Sequence, residues 1–466
     1  MLPLDFSLTP SLRPAQLRAV ASVRPMAARL ESHWGRALLG LVVIGLVVRV
    51  VYALVHGDAL ANLGFDAPYY HHAANDLANG YGFVEPTFLS KFAVSTPGAD
   101  HPPAYFVFLA ATSVVGLQSV LVHQLWSCLL GAAAVALTGL AGREVAGPRT
   151  GLIAAAIAAL SPAFWFNDAL LMSESMTLAV TALVVLLAYR MLGRPSWPVA
   201  ASLGAACGLA TLTRPEAVLF VPFLIVPVSL LARGVAMRSR FRLMAVGLGV
   251  VVVVTGPWVG YNLVRFDRPV TLSSGLGQTV YSANCHDTYY GPEIGYLSLH
   301  CLLSSPKFPP ADESVQDQRF RDLATDYARD HKGQVPFVVF ARLGRTFGFY
   351  APVDQLRADE RDNHRELAVS AVALALFYVS VILSVYALIV LRRRRVSLVP
   401  VLAPIATVAV ATIVTFGQTR FRAAADVSLA ILAAVAVDAW FRMRSALVRF
   451  DAPSGDDVRG ARVSDP

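Results

Sequence analysis

The sequence predicts an all-α protein that crosses a membrane many times. Of its 466 residues, 56% are hydrophobic and only 15% charged, where soluble domains are nearer one quarter charged. Mean hydropathy is +0.56. Apolar stretches of about twenty residues, the length that crosses a bilayer core, recur from residue 37 to residue 440. Strands of alternating polarity are absent, so helices rather than a barrel satisfy the backbone in lipid.

About ten spans are expected, near 37–55, 122–141, 150–166, 174–189, 197–213, 216–232, 243–262, 367–391, 397–415 and 423–440. The net charge of +8 lies at segment ends, so it reports topology and lipid contact rather than a nucleic-acid partner. Arg143 and Arg149, Arg190 and Arg194, Arg233 to Arg242, Arg392 to Arg395, and Arg442 with Arg444 all land on one side, the cytoplasmic one. This works if Tyr105–Leu117, about thirteen residues, lies flat at the outer interface, and Val335–Ala351 likewise. The first 36 residues hold Arg13, Arg18, Arg24, Arg29 and Arg36 and lack the pattern of a secretory signal, so the first span directs insertion.

The expected organisation is a basic cytoplasmic N-terminus (1–36), a membrane module (37–262) with its first outer loop at 56–121, an outer segment (263–365), C-terminal spans (366–441) and a cytoplasmic tail (442–466). Residues 451–466 read as a short disordered end. No fixed-period repeat appears.

Cys128 and Cys207 fall within spans, as small apolar groups. Cys285 and Cys301, in the outer segment, read as a disulfide that stabilises by roughly 3 kcal/mol in the chain-entropy picture. With His286 and His300 they offer a zinc site as the alternative, though the spacing fits no standard pattern.

The stretch Gly64-Phe65-Asp66-Ala67-Pro68-Tyr69-Tyr70-His71-His72 lies just past the first span, and Asp100-His101-Pro102-Pro103 follows. With Asp76, Asp168, Glu174, Arg214, Arg420 and Arg422 these residues gather on the outer side of the expected topology. Charge at membrane depth is costly, so such residues mark function unless they snorkel to headgroups. A carboxylate beside arginines suits glycosyl transfer from a polyprenyl-phosphate sugar. The carboxylate takes the acceptor's proton, and arginines neutralise the departing phosphate. Tyr289, Tyr290 and Tyr296 suit sugar stacking or interface anchoring. No Walker, glycine-rich or nucleophile-elbow motif supports a nucleotide-sugar donor or an acyl enzyme.

Asp66 with Tyr69-Tyr70, Asp100-His101-Pro102-Pro103-Ala104-Tyr105 and Leu171-Met172-Ser173-Glu174 resemble the GT-C glycosyltransferases, particularly the group of protein O-mannosyltransferases and aminoarabinose transferases. The resemblance covers roughly residues 37–232. It implies a catalytic Asp66, with Asp100 and His101 lining the donor phosphate or acceptor. Glu174 would be a second acidic group, standing where the family has Asp. A divalent metal at Asp66 and Glu174 is left open by that departure. Leu212-Thr213-Arg214-Pro215-Glu216 and Thr419-Arg420-Phe421-Arg422 resemble positions that meet the lipid phosphate, and Glu216 is a candidate ion-pair partner of Arg214.

The expectation is therefore an inverting glycosyltransferase on the outer face of a bacterial cell membrane. It would act between a polyprenyl-phosphate sugar and a glycan, lipid or protein hydroxyl. The other class to weigh is a transporter or flippase of lipid-linked sugars, for which paired broken helices or an inverted repeat would speak.

Overall fold

The computed structural model describes residues 14–56, 66–306 and 311–450, with side chains from residue 33 to residue 445. Arg13, Gly64, Phe65 and the end 451–466 lie outside them. Among the described residues the only strand-like pairing is an isolated bridge between Val84 and Pro97.

The chain opens with α1 (Pro14–His56), then α2 (Asp66–Ala78), α3 (Pro86–Phe92) and α4 (Ala104–Ser113). Next come α5 (Val120–Ala146), α6 (Pro148–Leu160), α7 (Pro162–Ala169), α8 (Glu174–Gly193) and α9 (Trp197–Thr213). A 3-10 turn at Pro215–Leu219, a π-turn at Val221–Ile225 and α10 (Val226–Leu230) lead to α11 (Met237–Arg265). The segment between α11 and the last long helices holds α12 (Leu276–Ser282), α13 (His286–Tyr289), α14 (Leu299–Leu303), α15 (Glu313–Asp330), α16 (Val335–Thr346) and α17 (Pro352–Asn363). The chain ends through α18 (Leu367–Arg393), α19 (Val399–Val414) and α20 (Ala423–Phe450).

Proline accounts for the irregular pieces. Pro162 cannot donate to the ladder of α6, and the α6–α7 pair bends there by 44°. Pro215, Pro222 and Pro227 remove three donors within thirteen positions, so that stretch alternates between 3-10, π and α geometry.

Each of the ten apolar segments read from the sequence falls on a helix, a bent pair or the irregular stretch 215–230. Among the described residues six helices can cross a membrane by length and composition, or seven if α6 and α7 are one bent span. Ala104–Ser113, Trp197–Thr213, Pro215–Leu230 and Val399–Val414 are shorter apolar helices.

Basic helix ends meet at one end of the bundle. Trp34 Nε1 donates to Pro148 O at 2.8 Å and Tyr189 Oη to Ser397 O at 3.0 Å. Arg233 donates to Arg395 O at 3.0 Å, and Arg149 lies 3.6 Å from Asp438. The opposite end carries α2, α4 and the segment between α11 and α18, and all the candidate site residues lie there.

Cys285 and Cys301 are joined in a disulfide, which leaves neither thiolate to ligate zinc. Cys128 and Cys207 are free and buried. Helix α16 is polarised inside-out: Phe337 and Phe340 are exposed, while Arg342 and Arg345 are buried. Arg342 donates to Ile413 O and Ala283 O, and Arg345 donates to Ile294 O and Pro292 O.

Candidate active site

Asp66 begins α2, where the free backbone N–H groups of a helix start favour a carboxylate. Its Oδ2 accepts from Arg420 Nη1 at 2.6 Å, and its Oδ1 lies 4.0 Å from His101 Nε2. Burial pushes this carboxyl up, but Arg420, then His101 and Arg214, outweigh it and hold Asp66 at about 2. Asp66 is therefore ionised throughout the physiological range.

His101 stacks on Tyr70, ring centroids 4.9 Å apart, and meets Tyr69 edge-on at 4.8 Å. Its Nε2 lies 3.4 Å from Asp100. Ser273 Oγ donates to Asp100 O at 2.5 Å, tying this loop to the segment after α11. A ring of neutral hydrogen bonds fastens α2 to α4 and α5. Asn75 Nδ2 meets His71 Nε2 at 3.2 Å, and His71 Nδ1 meets His123 Nδ1 at 3.1 Å. His123 Nε2 meets Ser113 Oγ at 2.9 Å, and Ser113 Oγ donates to Asn75 Oδ1 at 2.7 Å.

Glu174 opens α8 and is buried. Its Oε1 accepts from Arg214 Nη1 at 3.0 Å and lies 3.9 Å from Arg420 Nε. Arg214 Nε also donates to Glu216 Oε1 at 2.5 Å, so Arg214 is held between two carboxylates. Phe421 lies under both Arg214 and Arg420, at 4.9 and 5.4 Å.

Arg420 borders two cavities. One, of about 400 Å³, is lined by Arg365, Arg420, Arg422, Asn167, Thr419 and Asp426, among others. Three cations face a single carboxylate there. Buried Arg422 Nη1 and Arg365 Nε have no hydrogen-bond partner among the described residues. Arg422 Nε donates to Asp426 at 2.9 Å and Arg365 Nη2 to Asn167 Oδ1 at 2.8 Å. This cavity shares Ala163, Ala373 and Asp426 with a groove of about 290 Å³ lined by Ile157, Phe164, Leu376, Phe377 and Leu429. Leu376 is exposed, so the groove reaches the apolar flank of the bundle. The other cavity, of about 410 Å³, holds Glu174, Arg214, Glu216, Arg420 and the threonines Thr177, Thr181 and Thr407. Its two arginines meet two carboxylates.

The structure thus brings together Asp66, Tyr69, Asp100, His101, Glu174, Arg214 and Arg420. Arg422 lines only the first cavity and Arg214 only the second, while Arg420 borders both. Arg365 joins Arg422 instead. It lies two residues before α18, at the end away from the basic clusters, the same signal that singles out Arg214.

Other candidates stand apart from this group. Asp168 is buried in α7, 2.9 Å from Arg49 Nε. Tyr289 and Tyr296 are buried and bonded to Asn284 and Asp362, which leaves Tyr290 as the one of the three tyrosines that is exposed. Asp66 and Glu174, the candidate metal ligands, both face Arg420, at 2.6 and 3.9 Å, and among the described residues no group of three or more His, Cys, Asp or Glu is arranged to hold an ion.

Over part of its sequence, and in its fold, the chain is similar to known glycosyltransferases, and its apolar helices mark it as a multi-pass membrane protein. Residues 100–261 match the dolichyl-phosphate-mannose-protein mannosyltransferase family. The fold is similar to the oligosaccharyltransferase of Archaeoglobus fulgidus in its apo form, with a TM-score of 0.52 and 15% identity over 92% of this chain and 52% of that one. The same archaeal enzyme, AglB, with an inhibitory peptide and a dolichol-phosphate gives 0.51 and 16% over 92% and 52%. ArnT from Cupriavidus metallidurans, bound to undecaprenyl phosphate, gives 0.39 and 16% over 84% and 77%. The chain spans about half the length of the archaeal structures it matches. No curated protein matches it by sequence.

Proposed function

We propose that the chain transfers a sugar, with inversion, from a polyprenyl-phosphate donor to a hydroxyl of an envelope glycan, lipid or protein, on the outer face of a bacterial cell membrane. The observation that carries this is the position of Asp66, bonded to an arginine that borders a three-arginine cavity, which shares Ala163, Ala373 and Asp426 with a neighbouring groove. Arg365, Arg420 and Arg422 hold the phosphate, and the groove takes the first units of the isoprenoid tail. The acceptor approaches Asp66 from the His101 side. Its oxygen attacks the anomeric carbon and its proton passes to Asp66 Oδ2. The bond from that carbon to the phosphate oxygen breaks, and the electron pair leaves with the phosphate. The growing charge on the phosphate is met by the unpaired N–H groups of Arg365 and Arg422.

The dolichol-phosphate captured in the archaeal structure supports a lipid-phosphate donor. The clustering of polar groups at one end of the bundle favours this reading over transport. The basic clusters at the opposite end support the assigned orientation. The test is turnover of Asp66→Asn in the purified full chain with a polyprenyl-phosphate sugar. The expected loss is ~100-fold or more, the usual contribution of a general base. Near wild-type turnover overturns the assignment.

A further inference from the structure

We infer that Arg420 is exchanged between Asp66 and the donor phosphate, so that donor binding releases the base; this rests on the donor site proposed above. Arg420 spends its fork on three acceptors: Nη1 on Asp66 Oδ2 at 2.6 Å, and Nε on Gln418 Oε1 at 2.9 Å and near Glu174 Oε1 at 3.9 Å. The same guanidinium borders the cavity that holds Arg365 and Arg422. A phosphate seated there competes with Asp66 for it.

The competition is uneven in a useful way. Glu174 keeps Arg214 at 3.0 Å whether or not Arg420 moves. Among the described residues no second arginine lies within ion-pair distance of the Asp66 carboxylate, and His101 stands at 4.0 Å. Moving Arg420 toward phosphate therefore leaves Asp66 charged and weakly partnered, which raises its basicity when the donor is in place. Without donor, Arg420 stabilises the charge on Asp66 and so lowers its pull on an acceptor proton.

Coupling of this kind is reciprocal. If phosphate draws Arg420 from Asp66, then removing the Asp66 charge must strengthen phosphate binding. The experiment measures the affinity of the purified full chain for a polyprenyl monophosphate in detergent, for wild type, Asp66→Asn, Arg420→Ala and the double variant. Asp66→Asn is expected to bind about 10-fold tighter while losing turnover, the scale of one charge-assisted hydrogen bond. In the Arg420→Ala background the same change should have no effect, because there is no guanidinium to release. Asp66→Ala removes the charge and both acceptor oxygens and should reproduce the gain, which guards against one misfolded variant.

Unchanged or weaker binding in both Asp66 variants overturns the exchange. So does an equal gain in the Arg420→Ala background, since that reports direct repulsion between Asp66 and phosphate. Arg365→Ala separates this inference from the donor site itself. If it weakens binding while Asp66→Asn leaves it unchanged, the site stands and the exchange falls. If neither changes it, the phosphate is bound elsewhere.

Discussion

Arg49 Nε lies 2.9 Å from Asp168 Oδ2, with both side chains wholly excluded from solvent. Arg49 also donates to Gly45 O at 2.8 Å and to Ala158 O and Phe164 O, both at 3.3 Å, so α1, α6 and α7 are pinned at one point. Gly131 of α5 passes so close that a Cβ there would strike Arg49 and Asp168. Asp168→Ala strands the guanidinium and should cost about 3–5 kcal/mol, measured as unfolding in detergent. The double change Arg49→Met with Asp168→Leu should recover most of it. If the single variant melts like wild type, the pair does not hold these helices.

A second expectation concerns Glu313. Its Oε2 accepts from Ala99 N at 2.9 Å and Ser274 Oγ at 2.6 Å, which joins α15 to the loop that carries Asp100 and His101. Burial, then Asp100, pushes this carboxyl up to about 8. The folded protein therefore holds a proton that the unfolded chain releases near 4.5. Its stabilisation is complete below 4.5, falls as pH rises and is lost beyond about 8. Glu313→Gln should flatten the decline of melting temperature across that window. An unaltered slope would assign the titration to another group.

The histidine ring behaves in the opposite sense. Burial, then His123 and His72, lowers His71 from 6.5 to about 4. Bare Nδ1 on one imidazole is needed for the 3.1 Å contact, so protonating both rings breaks the ring. The unfolded chain takes up the proton first, hence stability is full above 6.5 and declines as pH falls toward 4. His71→Phe should be less stable at neutral pH and show a shallower acid decline. The readout is melting temperature between pH 7 and pH 4, and an equally steep acid decline in the variant counts against His71.

Helices and the acidic half of the site were legible because each is a local signal. Apolar length marks the spans, and Asp66 and Asp100-His101 interrupt apolar sequence. Arg214 with Glu216 is readable two positions apart, and the pair forms. Arg49 interrupts the stretch 37–55, and charge inside a span by itself calls for a buried partner. That Asp168 is the partner depends on how α1 and α7 pack, which spacing does not encode. The division of the arginines between two cavities is of the same kind. Arg420 and Arg422 are two apart, yet the 3-10 turn Thr419–Arg422 places Arg422 only in the Arg365 cavity, while Arg420 borders both.

The inside-out polarity of α16 bears on how this protein can be handled. Arg342 satisfies its charge on the carbonyl of Ile413, in α19, and Gly417 N donates to Gly295 O at 2.8 Å. Cut away from the bundle, residues 263–365 would lose those partners and present Phe337, Phe340 and Phe349 to water. A soluble fragment made from this segment would clump rather than fold, disulfide or not. The segment 263–365 therefore takes part of its shape from α19 and the stretch that follows it, and the two have to be produced as one piece.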